Sequence, residues 1–265
     1  MNDLRIICGD ALTELRKLPD DSVHCCVTSP PYDNLRTYNG FNSWDFTGIS
    51  RELFRVLCNG GILCWNVGDS VVEGSETLTA FRQALYFKDV VGFRMHDTMI
   101  YEKTNFGHPE SCRYHQLFEY VFILTKGPPR CFNPIKDKKN AWAGTGPFGI
   151  STMREANGNQ KPKTRNIIAD FGMRGNVWRC KTAGQENVCT PIEHPAKMPD
   201  ELASGLIVSW SNAGDTVLDP FLGSGTTAAV ALDLGRSAIG IELSPEYVKL
   251  AQARCAAVTP GFQFA

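Results

Sequence analysis

The chain has 265 residues, 43% hydrophobic and 21% charged. That is enough to bury a core, and long enough for one domain with a sizeable insertion rather than two catalytic domains. The balance excludes wholesale disorder, and no apolar run reaches the roughly 18 residues that a membrane helix needs. The formal charge of −1 looks neutral but hides a strong asymmetry.

In chain order, Asp10 can cap a helix with Leu12, Leu15 and Leu18 on one face, ended by Pro19 and two aspartates. A buried strand over 24–28 then runs into Ser29-Pro30-Pro31-Tyr32. Ser50 opens a helix with Leu53, Phe54 and Leu57 inward, stopped by Gly60 and Gly61, and a strand follows over 62–67. Leu78, Phe81 and Leu85 mark a further helix, and 98–101 and 120–125 read as strands. From about Pro191 the pattern resumes with a helix through Leu202, Leu206 and Ile207, a strand over 216–219 and a helix over 226–234. A strand over 237–241 and a helix opened by Pro245 complete it. Strands alternating with helices predict an α/β fold, an open parallel sheet flanked by helices.

The stretch between these halves differs. Residues 126–190 hold 12 Lys and Arg against 4 acids, so this segment is +8 and the remainder −9. It is rich in Gly, Pro and Asn, with spaced aromatics at Phe132, Trp142, Phe148, Phe171 and Trp178. A long structure-poor stretch inside a domain is usually functional or disordered. Bases and aromatics mixed in one loop-rich module suit phosphates and nucleobases, whereas a merely solvated basic loop is the plainer alternative.

The ten cysteines do not suggest disulfides. Cys8, Cys25, Cys26, Cys58, Cys64 and Cys255 lie in apolar strand-like or helix-like stretches, as free thiols of a reducing cytoplasm do. The opening Met-Asn-Asp-Leu-Arg lacks the apolar stretch of a secretory signal, which fits the same compartment. There is no Cys-x-x-Cys pair, and Cys112, His115 and Cys131 lack zinc spacing, so no metal is expected.

Two constellations carry chemistry. In Asp219-Pro-Phe221-Leu-Gly223-Ser224-Gly225-Thr226, between a strand and a helix, glycines allow close backbone approach and the helix start offers unpaired N–H groups. Glu242 follows Asp219 by 23 residues, at the end of the next strand, where an open α/β fold places the acid that grips a ribose diol. This pattern predicts nucleoside binding. The third glycine of a dinucleotide fingerprint is replaced by Ala228, and Asp219 would repel a pyrophosphate but attract the ammonium of a methionine moiety, which favours S-adenosylmethionine over NAD. In the second constellation, Thr28-Ser29-Pro30-Pro31-Tyr32, two prolines fix the backbone and remove two donors, leaving carbonyls as acceptors in a rigid arc. A planar ring stacked on Tyr32 could donate from its amino group to a carbonyl and to Ser29 Oγ. A proline-stiffened turn is the plain reading of Pro-Pro-Tyr, weakened by its place at a strand's C-terminal end.

With both motifs in this order the chain resembles the amino-group DNA methyltransferases of the permuted β group, which make N4-methylcytosine or N6-methyladenine. Supporting stretches are Gly9-Asp10, the run from His115 through Glu119 to Gly127, Asn176-Val-Trp178, and His194-Pro-Ala-Lys197. The resemblance implies a Rossmann-like methyltransferase sheet with circularly permuted motif order. Residues 1–127 and 191–265 would form the catalytic domain, and 128–190 an inserted loop-rich target-recognition region. It implies Ser29, Pro30, Pro31 and Tyr32 as the catalytic motif. Thr28, Asp219, Phe221, Gly223, Ser224, Gly225 and Thr226 would form the cofactor site. Glu242 would sit on the ribose, Asp10 on the adenine amino group, and His194 and Lys197 by the methionine end. Asp10 as a plain helix cap and Lys197 as a solvated side chain are the alternatives.

The implied reaction transfers a methyl group from S-adenosylmethionine to the exocyclic amine of a base flipped out of double-stranded DNA. Ser rather than Asp in the first motif position leans toward cytosine N4, with adenine N6 the alternative. Arg36 and Tyr38 are candidates to touch the target base, and Arg154, Lys161, Lys163, Arg165 and Arg174 to bind DNA. Companions open to the family are a cognate restriction endonuclease and a second copy of the chain. The rival readings are a non-catalytic DNA-binding module, opposed by the intact motifs, and a nicotinamide oxidoreductase, opposed by Asp219. Methylation of RNA or protein is opposed by the motif order.

Overall fold

The computed structural model describes residues 3–31, 44–104, 112–145, 152–162, 167–181 and 198–258. It divides into two compact units, one of residues 1–133 and 176–265 and the other Pro134–Gly175.

In the larger unit, β1 (Leu4–Cys8) leads to α1 (Ala11–Leu15), β2 (Val23–Thr28), α2 (Phe46–Val56) and β3 (Leu57–Val67). A small hairpin of β4 (Val71–Val72) and β5 (Ser75–Glu76) precedes α3 (Thr79–Tyr86), which runs into a π-turn over Phe87–Val91. Then come β6 (Arg94–Lys103) and β7 (Phe118–Thr125). The smaller unit contributes β8 (Lys138–Lys139), β9 (Thr152–Arg154), β10 (Gln160–Pro162) and β11 (Phe171–Gly172), paired as two antiparallel ribbons, β8 with β11 and β9 with β10. The chain returns through β12 (Val177–Cys180), α4 (Asp200–Trp210), β13 (Thr216–Asp219), α5 (Thr226–Asp233), β14 (Ser237–Glu242) and α6 (Pro245–Ala256).

Eight strands form one sheet in the order β1-β14-β13-β2-β3-β7-β6-β12. All run parallel except β7, which is antiparallel to both neighbours. The expected parallel sheet is thus mixed: β7 follows β6 in the chain and pairs with it antiparallel, an arrangement that needs no crossover helix. Leu15, Leu53, Val56, Ala80 and Phe87 from α1, α2, α3 and the π-turn join Leu63, Trp65, Leu124 and Leu218 of the sheet in one buried core. Aromatic edges pack inside it, Trp65 on Phe87 at 5.1 Å and Phe46 on Phe87 at 5.2 Å.

Several local expectations change. Helix α2 begins at Asp45, not Ser50: Asp45 Oδ1 accepts from Gly48 N and Thr47 Oγ1, while Ser50 lies buried in mid-helix with its hydroxyl on the Thr47 carbonyl. Leu57 already belongs to β3, so the helix ends before the Gly60-Gly61 pair. Helix α3 is turned the other way round from its apolar pattern. Ala80, Gln83 and Ala84 face inward, and Leu78, Phe81 and Leu85 are 45%, 43% and 57% exposed. The reason is Trp65, whose indole N–H donates to Gln83 Oε1 at 2.8 Å.

Trp178, grouped by sequence with the base-stacking aromatics, is buried in β12, and a side chain on Gly205 of α4 would sit 2.5 Å from its ring. The range 128–190 is therefore wider than the smaller unit, because its last described part closes the sheet edge beside β6. Cys8 is exposed on the edge strand β1, and every described cysteine is a free thiol. Among the described residues no helix is long and apolar enough to cross a membrane, and no His, Cys, Asp and Glu cluster could hold a metal.

Candidate active site

Strands β14, β13 and β2 are neighbours, so the segments leaving their C-terminal ends gather at one rim of the sheet. Those segments are the Glu242 turn, the glycine loop and Ser29-Pro30-Pro31. Residues about 190 positions apart in the chain meet there: Thr28 Oγ1 donates to Asp219 Oδ1 at 2.6 Å, with both groups buried.

In the glycine loop, Phe221 N–H also donates to Asp219 Oδ1, at 3.0 Å, folding the loop back on its own acid. Gly223 and Gly225 have φ of 54° and 88°, a region in which side chains are strained. At Gly225 a Cβ would also lie 2.8 Å from the Ala251 backbone of α6. This glycine serves helix packing as well as the loop. Helix α5 starts directly after it with no side-chain cap, so its first N–H groups face the rim.

Glu242 is aimed by the backbone. Gly223 N–H donates to one carboxylate oxygen and Ser244 N–H to the other, each at 2.8 Å, which leaves both oxygens able to accept again from a pair of hydroxyls. Asp10 lies on the neighbouring β1 side, since Cys8 pairs with Glu242 and Gly9 N–H donates to the Glu242 carbonyl. Its Oδ1 accepts from Thr13 N and Thr13 Oγ1, the helix-cap role weighed from sequence. Phe221 is half-buried, with Trp44 packed edge-on at 5.2 Å.

Burial raises the Asp219 carboxyl from 3.8 to about 6, with the Glu242 charge pushing the same way and the Thr28 and Thr227 hydroxyls and Phe221 N–H opposing. Asp219 in turn helps burial push the Cys26 thiol well up, so that thiol stays protonated and inert.

The structure thus brings together Asp10, Thr28, Ser29, Pro30, Pro31, Asp219, Phe221, Gly223, Ser224, Gly225, Thr226 and Glu242. Tyr32, Arg36, Tyr38, Lys163, Arg165, His194 and Lys197 lie outside the described residues. In the smaller unit Lys136, Lys138, Lys139 and Lys161 are exposed, β9 carries Arg154, and Arg174 donates to Asp137 through Nε at 2.9 Å. Three bases of the +8 segment are instead ion-paired within the larger unit: Lys126 with Asp21 at 2.7 Å, Arg130 with Asp215 at 2.5 Å and Arg179 with Glu102 at 2.7 Å. Sequence reasoning missed Thr227 and Trp44. The second threonine of Gly-Ser-Gly-Thr-Thr was the available signal for the first, and nothing in the local pattern marked the second.

A sheet with one reversed strand, carrying a glycine loop on one strand end and an orienting acid on the next, defines a Rossmann-like methyltransferase. The donor set suits S-adenosylmethionine: a backbone-aimed carboxylate for a diol, an aromatic edge at Phe221, and a buried acid for an ammonium. The family model for N6/N4-type DNA methylases matches residues 23–253. The orphan methyltransferase M.BamHII of Bacillus amyloliquefaciens is 45% identical over 89% of this chain and 89% of its own. A DNA modification methylase of Thermus thermophilus, solved with S-adenosyl-L-methionine, is 27% identical over 97% of this chain and 95% of its own, with a TM-score of 0.63. The PvuII cytosine-N4-specific DNA methyltransferase shares the fold, with a TM-score of 0.68 at 19% identity over 96% of this chain and 86% of its own. The chain belongs to the N6/N4 DNA methylase family and is an S-adenosylmethionine-dependent DNA methyltransferase.

Proposed function

We propose that the chain methylates N4 of cytosine in double-stranded DNA, with Ser29 and the Pro30 carbonyl as acceptors for the target amine. The Thr28–Asp219 hydrogen bond carries this reading, because it sets the Ser-Pro-Pro segment beside the cofactor loop. Bound S-adenosylmethionine supplies an electrophilic methyl group. An exocyclic amine is a poor nucleophile because its lone pair is delocalised into the ring. Two acceptors that bind both N–H groups pull the nitrogen toward tetrahedral geometry and aim the lone pair outward. The same dipoles stabilise the positive charge that develops on nitrogen as the N–C bond forms and the methyl–sulfur bond breaks, the sulfur leaving as a neutral thioether and the surplus N–H proton passing to solvent. Pro30 and Pro31 hold this arc rigid, and Tyr32 stacks on the extruded base. A hydroxyl at position 29 is a weaker acceptor than a carboxylate and suits the cytosine amine; adenine N6 is the competing target within the family.

Glu242 grips the ribose diol, Asp219 faces the methionine ammonium, and Asp10 reaches the adenine edge beyond its cap. His194 and Lys197 belong to the methionine end. The unit Pro134–Gly175, with Arg154, Lys161, Lys163, Arg165 and Arg174 and the exposed Trp142 and Phe171, is the DNA-facing module. Arg36 and Tyr38 touch the target base. The free thiols favour a cytoplasmic setting. The 45% relative's description as an orphan favours action without a dedicated endonuclease. Mass spectrometry of nucleosides from DNA methylated by the purified chain tests the base: N4-methylcytosine is expected, and N6-methyladenine alone would refute it.

A further inference from the structure

The strand that carries the catalytic motif and the strand that carries the cofactor loop are joined by very little backbone. Their pairing consists of Val217 with Cys25 and Leu218 with Cys26, and it stops there. On its other side β2 stays paired with β3 as far as Thr28 and Trp65. The ladder to β13 cannot continue past Asp219, because Pro220 has no N–H to donate. Two threonine hydroxyls take over where it ends. Thr28, 0% exposed, donates to Asp219 Oδ1 at 2.6 Å. Thr227, 2% exposed on the first turn of α5, donates its hydroxyl to the Val27 carbonyl at 3.2 Å, and the same hydroxyl lies close enough to the Asp219 carboxylate to help hold its proton affinity down. The next residue after Thr28 is Ser29.

We propose that Thr28 and Thr227 are positioning residues, which by converging on Asp219 and Val27 fix the Ser29–Pro30 acceptors relative to the glycine loop. Thr28 then acts through Asp219 and not as a ligand of the cofactor, the role its place in the motif suggests. The joint spans 191 residues of chain for Thr28 and 200 for Thr227, so only the folded sheet assembles it. Methyl transfer is steeply sensitive to alignment: a displacement of about 1 Å between reacting atoms costs on the order of 100-fold in rate. A short, buried hydroxyl–carboxylate bond suits such alignment, because a charge-assisted hydrogen bond away from water is stronger than a neutral one.

The proposal rests on the reading of Ser29 and Pro30 as amine acceptors, and the test separates the two. Thr28→Val, Thr28→Ser, Thr227→Val and Ser29→Ala are prepared in the full chain. Single-turnover methyl transfer is measured at saturating DNA and cofactor, S-adenosylmethionine affinity by calorimetry, and unfolding by heat. In Thr28→Val the transfer rate is expected to fall about 10- to 100-fold while cofactor affinity changes less than about threefold. Thr28→Ser, which keeps the hydroxyl, is expected to restore the rate to within about threefold, and Thr227→Val to show the same split as Thr28→Val. If Thr28→Val does not fold, Thr28→Cys, a weak donor of similar size, carries the same prediction. An undiminished rate in Thr28→Val overturns the proposal, as does a loss confined to cofactor affinity. If Ser29→Ala is inactive in that case, the acceptor reading stands and only the joint is removed. A fully active Ser29→Ala removes the acceptor reading itself.

Discussion

Replacing Asp219 with Asn should make the cofactor-free protein more stable at pH 8, although it alters a residue of the cofactor loop. Asp219 is 5% exposed, and burial, helped by the Glu242 charge, raises its carboxyl from 3.8 to about 6. The native state therefore holds this proton more tightly than the unfolded chain, and stability falls as pH rises from about 4 to about 6, then levels off. At about 1.4 kcal/mol per tenfold change in proton affinity, ionised Asp219 costs the native state about 3 kcal/mol at pH 8. Asparagine keeps an oxygen for the Thr28 hydroxyl and the Phe221 N–H, and its amide can donate to the Thr227 oxygen, whose own proton already goes to the Val27 carbonyl. Urea unfolding of both proteins at pH 4.5 and pH 8 measures the effect. The variant's advantage should be small at the lower pH and approach about 3 kcal/mol at the higher one. A variant that is equally stable or less stable at both values would show that Asp219 is not held against its ionisation. In the reading of Asp219 as the ammonium's partner, the same acid makes S-adenosylmethionine bind more weakly at pH 5 than at pH 8, a dependence that Asp219→Asn abolishes.

Ser29→Ala should suppress turnover while leaving cofactor affinity within about threefold, since the hydroxyl serves the target amine; equal loss of both would place it in the cofactor pocket. Glu242→Ala removes the acceptor that Gly223 N–H and Ser244 N–H aim. It should weaken S-adenosylmethionine at least tenfold by calorimetry, a charge-assisted hydrogen bond contributing about 1.5–3 kcal/mol. Changing the exposed Lys138, Lys139 and Lys161 to Gln should lower DNA affinity and flatten its dependence on log salt by about one for each phosphate no longer neutralised. An unchanged slope rejects the ribbons as a DNA-facing surface. Trp178→Ala should destabilise the fold by about 3–5 kcal/mol, because the ring fills the space over Gly205. If the change instead weakens DNA binding at unchanged stability, Trp178 stacks on a base after all.

Much of the fold was legible because periodicity and turn chemistry are local. The strand over 216–219 and the helix opened by Pro245 stand where the apolar runs and breakers put them. The glycine loop could be read as well, since a strand, an acid, two glycines and a helix start must occur in that order whatever surrounds them. What failed was orientation and partnership. Leu78, Phe81 and Leu85 make a good helical stripe, yet Ala80, Gln83 and Ala84 face the core, where Trp65 of β3 offers a donor for Gln83. Trp178 and Arg179 look like parts of a nucleic-acid surface until β12 docks beside β6, burying the ring and pairing the guanidinium with Glu102.

The sequence by itself determined the residue chemistry, the order of the motifs and most strand and helix positions, since each depends on neighbours within a few residues. Only the tertiary structure decided that Thr28 and Thr227 meet at Asp219. That meeting joins chain segments about 200 residues apart, and it exists because the order of strands in the sheet, which no local pattern encodes, places β2 next to β13.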